Sequence, residues 1–131
     1  MKGSYVLLLH LKEGKNIKVG AFGRIDFPKG FYAYIGSAMN GIEGRVKRHL
    51  REDKKIHWHI DYLLKSAEVI GVYYKESNRK LECEIAQGFE KEFEVISKFG
   101  SSDCDCRGHL FYGCRRKLER WVHENRLKKS I

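Results

Sequence analysis

The sequence predicts a single α+β domain, a small and mainly antiparallel sheet flanked by helices. Three observations lead there. The chain has 131 residues, enough for one buried core and too few for two ordinary domains. Apolar residues make up 42% and charged residues 33%, with one proline, a balance that folds rather than staying disordered. Short β-branched and aromatic runs alternate with stretches whose apolar residues recur every three to four positions.

Taken in order, "SYVLLLHL" reads as a buried strand, ended by the turn-prone "KEGKN". "IKVGAF" is a second strand, followed by the turn-rich "GRIDFPKG", punctuated by Pro28 and Gly30, and "FYAYIGSA" is a third. The short separations predict antiparallel pairing among these three. From Gly41 to Glu52 the apolar residues Ile42, Val46 and Leu50 recur at i, i+4 and i+8, the stripe of an amphipathic helix. "HWHIDYLLKS" reads as a second short helix with Ile60, Leu63 and Leu64 inward, and "AEVIGVYYKE" returns as a strand. "RKLECEIAQGFEKEFEVI" predicts a third helix with a seam of Leu81, Ile85, Phe89 and Phe93. "FGSSDCDCRGH" is a loop. The segment from Cys114 to Lys128 closes the chain as a basic helix that docks through Leu118, Trp121, Val122 and Leu127. There is no internal repeat, low-complexity tract or interdomain linker.

The formal charge of +9 and a pI near 9.4 point to an anionic partner, most often nucleic acid. No apolar run approaches the roughly 18 residues of a membrane span. "YVLLLHL" lacks the flanks of a signal peptide, so the sequence reads as cytoplasmic, with no membrane partner. The four cysteines are then thiols or metal ligands before they are disulfides.

The stretch that concentrates chemistry is "FYAYIGSAMNGIEGRVKRHL". Arg45 and His49 are four apart and share a helix face beside the apolar stripe. The planar fork of arginine suits a phosphate. Lys47, Arg48 and Arg51 add positive charge on the same helix. Read alone, these residues also fit an ordinary basic surface helix, and Tyr5 and Tyr34 also fit ordinary strand packing. Their order resembles the GIY-YIG nuclease superfamily. "GSY" at Gly3-Ser4-Tyr5 stands for its first motif, with Ser in the middle place. Tyr34-Ile35-Gly36 matches the second literally, and Arg45 and His49 follow at the family's helical spacing. The nearer likeness is to the Uri-type endonuclease branch, in its archaeal group catalogued as domain of unknown function 123. "HWHIDYLL", the "EC" pair and "FGSSDCDCRGHLFY" look like signature stretches of that group, and they carry the resemblance over most of the chain. The longer interval from Tyr5 to Tyr34 reads as an inserted strand around "IKVGAFGRIDFPKG".

The resemblance implies phosphodiester hydrolysis in DNA, with one downstream carboxylate binding Mg²⁺ or Mn²⁺. The third helix offers Glu82, Glu84, Glu90, Glu92 and Glu94. At about 100° per residue Glu82 falls on the apolar arc and Glu84 opposite it, so Glu82 is the choice and Glu84 the fallback. Arg45 would stabilise phosphoryl charge, and Tyr5, Tyr34 or His49 would orient or deprotonate the attacking water. Sequence specificity in so small a domain would call for a protein partner or a homodimer; on its own the domain is expected to be structure-directed or weakly specific.

"CDCRGH" supplies Cys104, Cys106 and His109, with Cys114 five residues on and His57 and His59 in a separate segment. Thiolate and imidazole suit zinc, although adjacent ligands at i and i+2 are awkward for one ion. The same residues fit buried thiols, or an extension of the cleft in which Asp61 orients His57. A second function therefore stands beside the nuclease: a catalytically inactive, zinc-stabilised nucleic-acid-binding module. The altered "GSY" and the lack of a late Pro-Asn pair favour it.

Overall fold

The structure is a computed structural model and describes residues 1–100 and 106–130. Its centre is β1 (Gly3–Leu11), a strand apolar on both faces. Side chains alternate along a strand, so Tyr5, Leu7, Leu9 and Leu11 enter one core while Val6 and Leu8 enter another. A strand of that kind belongs in the middle of a sheet with both sides covered.

β1 pairs antiparallel with β4 (Gly30–Ala38) on one side and with β5 (Glu68–Glu76) on the other. Three short strands extend the sheet: β6 (Glu94–Val95), β7 (Leu110–Gly113) and β8 (Lys128–Lys129). The order is β6-β7-β4-β1-β5-β8, with antiparallel neighbours throughout. The α+β architecture expected from the sequence is therefore the one found.

The pairing of the first three strands differs from the expectation. β2 (Lys15–Val19) and β3 (Gly23–Phe27) form a separate two-stranded sheet, and β1 reaches β4 directly. Most of β2 and β3 is exposed or half-buried, so it lacks the apolar faces a central position needs. The inserted segment is thus a hairpin laid beside the sheet. Its Val19 and Phe27 complete the core on that side.

On this face lie α1 (Ile42–Leu50) and α2 (His59–Leu64); on the other lie α3 (Glu82–Glu90) and α4 (Arg115–Glu124). Three helix expectations need correction. Leu50, assigned to the buried stripe of α1, is 44% exposed, and His49 is buried at 2%. α1 ends at Leu50 and its C-cap Arg51 is already extended, so the inward arc closes one residue earlier. α3 stops at Glu90, and Phe93 packs from the turn beyond it. α4 docks through Leu118, Trp121 and Val122 as the sequence suggested, but it ends at Glu124 rather than Lys128: Leu127 packs from the turn beyond it and Lys128 belongs to β8. No helix among the described residues is long and apolar enough to cross a membrane.

Candidate active site

Four elements deliver side chains to one cleft of about 490 Å³. Tyr5 comes from β1 and Tyr34 from β4, and the register Tyr5↔Gly36, Leu7↔Tyr34 sets both rings on the same sheet face. Gly36 is required there: a Cβ would run into the Tyr5 ring. Arg45 arrives from α1, and Glu82, the first residue of α3, from across the cleft. The start of α3 is anchored by the buried Ser4, whose Oγ accepts the N–H of Leu81 at 3.3 Å. The serine in the middle of "GSY" therefore helps seat the helix that carries the acid.

Burial pushes both phenols well above their ordinary range; the Arg45 charge works against that rise, and the Glu82 charge adds to it. In the resting site both are neutral hydroxyls. His49 stands behind Tyr5, its Nε2 2.7 Å from the phenol oxygen. Burial, aided by Arg45, Arg48 and Lys54, pushes its pKa down to about 4, although Asp61 opposes the fall. A neutral imidazole can take the Tyr5 proton or hold it off, according to which nitrogen carries hydrogen. Its Nδ1 is buried and finds no partner among the described residues.

Arg45 donates to the Ser37 carbonyl at 3.1 Å, and its guanidinium carbon lies 4.4 Å from the centre of the Trp58 ring. Arg48 stacks on the same ring at 4.4 Å. It grips Asp61 with two bonds, 3.1 Å and 3.0 Å. Asp61 also accepts the backbone N–H groups of His57 and Trp58. Burial alone would raise this carboxyl, but the Arg48 and backbone bonds outweigh it and hold it below its usual value. Asp61 thus fixes the α2 entry, Trp58 and, through that ring, the two arginines.

The expected site residues divide as follows. Tyr5, Tyr34, Arg45 and Glu82 meet in the cleft; His49 is one layer behind. Lys47 and Arg51 are exposed, whereas Arg48 is held by Asp61. Glu84 faces away and pairs with Arg79. His57 and His59 line the cleft. The bond foreseen from Asp61 to the His57 ring runs to the His57 backbone instead, and His59 Nδ1 accepts the N–H of Gly100 at 3.1 Å.

Cys106 and His109 do come together, but their companion is Cys83 of α3. One donor atom from each lies within 4.8 Å of the others, which makes a possible metal site. Cys104 lies outside the described residues. Cys114 is exposed at the N-cap of α4 and joins no such group among the described residues. A larger cavity, about 800 Å³, lies at the opposite end of β1 and shares none of the four convergent residues.

Sequence reasoning missed Ser4, Trp58 and Cys83 as contributors. All three sit in stretches already singled out, "GSY", "HWHIDYLL" and the "EC" pair, but nothing in their spacing marked these roles. Comparison with known proteins gives a family model, described as Domain of unknown function DUF123, that matches residues 4–129. No curated protein and no solved structure matches the chain.

Proposed function

We propose a function for a chain that belongs to the family Domain of unknown function DUF123: metal-dependent endonucleolytic hydrolysis of phosphodiester bonds in DNA. The observation that carries it is the convergence of Tyr5, Tyr34, Arg45 and Glu82, from four separate elements, on one polar cleft. Each side chain has a task that such hydrolysis needs.

Arg45, fastened by Ser37 and stacked on Trp58, presents a fixed positive charge to the phosphoryl oxygens. Tyr5, backed by a neutral His49, orients the attacking water and passes its proton inward. Tyr34 lines the same cleft. Glu82 keeps a fifth of its side chain open to the cleft and offers hard oxygen donors. One carboxylate, with water and phosphate oxygens, fits Mg²⁺ or Mn²⁺. Held by Glu82, such a cation would supply positive charge to the scissile phosphate and the departing oxygen. The exposed Lys47 and Arg51 and the charge of +9 supply sequence-independent attraction to the backbone. A structure-directed or weakly specific preference and a cytoplasmic location complete this reading.

The test is cleavage of plasmid, duplex, flap and four-way-junction DNA with Mg²⁺ or Mn²⁺. Glu82→Ala and Arg45→Ala are each expected to lower the rate by at least about 10²-fold. The thiol–imidazole cluster favours a second reading, a zinc-stabilised nucleic-acid-binding module without catalysis. Salt-sensitive binding with no cutting of any substrate would select it.

A further inference from the structure

We infer that Cys83, Cys106 and His109 hold one zinc ion, and that this ion fixes the position of Glu82 at the cleft. The second half rests on the reading of Glu82 as the cation ligand of the nuclease.

The donors come from distant parts of the chain, the second residue of α3 and the stretch leading into β7, and still converge within 4.8 Å. Tetrahedral zinc with sulfur and nitrogen ligands needs separations of roughly 3.5–3.8 Å, so closing on an ion takes about 1 Å of adjustment at most. His109 is buried, and the two cysteines are half-buried. Thiolate and imidazole select zinc over the hard cations that a carboxylate prefers. Two thiolates also neutralise the ion's charge, so zinc here does not repel a second cation at the neighbouring acid.

Three connections tie this cluster to the cleft. Cys83 follows Glu82 directly on α3. His109 Nδ1 lies 3.9 Å from Glu82 Oε2. The His109 carbonyl accepts the N–H of Ile35 at 2.9 Å, in the middle of Tyr34-Ile35-Gly36, while its own N–H donates to Phe99 at 2.7 Å. An ion bound by these three residues therefore joins the helix bearing the acid to the strand bearing Tyr34. Cys83 and His109 act as positioning residues, in the manner of outer-shell partners that tune a metal ligand.

The test uses the full chain, purified without added metal. Mass spectrometry is expected to find one zinc per chain. Replacement by Co²⁺ is expected to produce thiolate-to-metal charge-transfer absorption that weakens in Cys83→Ser and in Cys106→Ser. Mn²⁺ binding, followed by electron paramagnetic resonance, should be about 10- to 100-fold tighter in the zinc-loaded chain than in the stripped one. Glu82→Gln should lose that Mn²⁺ site and keep the zinc.

A chain with neither zinc nor a cobalt–thiolate band would overturn the site. Unchanged Mn²⁺ affinity after stripping would overturn the positioning. Should stripping unfold the chain, the Co²⁺ form decides: its charge-transfer band shifts on Mn²⁺ addition in the wild type and not in Glu82→Gln, and a band that never shifts overturns the coupling. Zinc-dependent Mn²⁺ binding without DNA cleavage would support this inference and remove the nuclease reading alone.

Discussion

The two faces of the central sheet make opposite use of burial. Beneath α3 and α4 the packed side chains are nearly all hydrocarbon and aromatic, with Phe89 stacked on Trp121 at 3.9 Å between centroids. Gly88 makes that approach possible, since a Cβ there would lie 2.7 Å from the Trp121 ring. Beneath α1 and α2 the same depth holds Tyr5, Tyr34, His49 and Asp61, with Tyr5–His49 and Asp61–Arg48 joined by hydrogen bonds. The first face is non-directional and owes its stability to area. The second holds together only while its polar groups keep their partners and their charge states. A single strand, β1, serves both because its side chains alternate.

That contrast predicts where damage is greatest. Phe89→Ala should destabilise the domain by about 3–5 kcal/mol, the ordinary cost of emptying a large aromatic site. Guanidinium unfolding measures it. A loss below about 1 kcal/mol would mean that the α3–α4 face is not the main store of stability.

The polar face should instead be vulnerable to acid. Folded His49 takes up a proton only near pH 4, against an ordinary value of 6.5. Above pH 6.5 neither the folded nor the unfolded chain carries that proton, and stability is full. As pH falls below 6.5 the unfolded chain protonates first, so stability drops until pH 4, by about 3 kcal/mol in all. Asp61 is held below its ordinary value, so its contribution is present above that value and is lost at still lower pH. Urea unfolding between pH 7 and pH 4 should show the slope, and His49→Phe should remove most of it. An identical slope in that variant would assign the acid sensitivity elsewhere.

Gly36→Ala should cost about 1–3 kcal/mol, because the new methyl must displace the Tyr5 ring and with it the bond to His49. The expected companion is loss of cleavage at temperatures where the variant is still folded. Full activity in a folded Gly36→Ala chain would show that the Tyr5 position is not critical.

The sequence made the apolar face and the cleft's first layer readable, for physical reasons. "SYVLLLHL" is apolar at every second position on both sides, which only a central strand requires, and Ile42 and Val46 mark the inward arc of α1 correctly. The arc's third member was misread because periodicity assigns Leu50 by angle alone. A histidine bonded to a buried tyrosine outbids a leucine on a helix's last turn. β6, β7 and β8 have two to four residues each, too few to show a period. Cys83 escaped for another reason: the ligand set spans α3 and the approach to β7, a closeness that tertiary folding creates and spacing cannot reveal. Ser4 is the instructive case. Read as a departure from a motif, it turns out to be the acceptor that seats α3.

The smallest expected effect belongs to the solvated rim of the polar face, and it separates attraction from chemistry. Lys47 and Arg51 are exposed on and just beyond α1. Neither makes a side-chain ion pair with another described residue, so changing either to alanine should leave stability within about 0.5 kcal/mol. Each contacts backbone phosphate under the proposed function. Each alanine should therefore weaken binding to every DNA by a similar factor and flatten the plot of log affinity against log salt by about one unit. Arg45→Ala should instead act mainly on the rate of cutting, since its guanidinium is fixed over Trp58 inside the cleft. If Lys47→Ala and Arg51→Ala leave the salt dependence untouched, the DNA lies across another basic surface, with the exposed Arg116 and Lys117 of α4 the next to change.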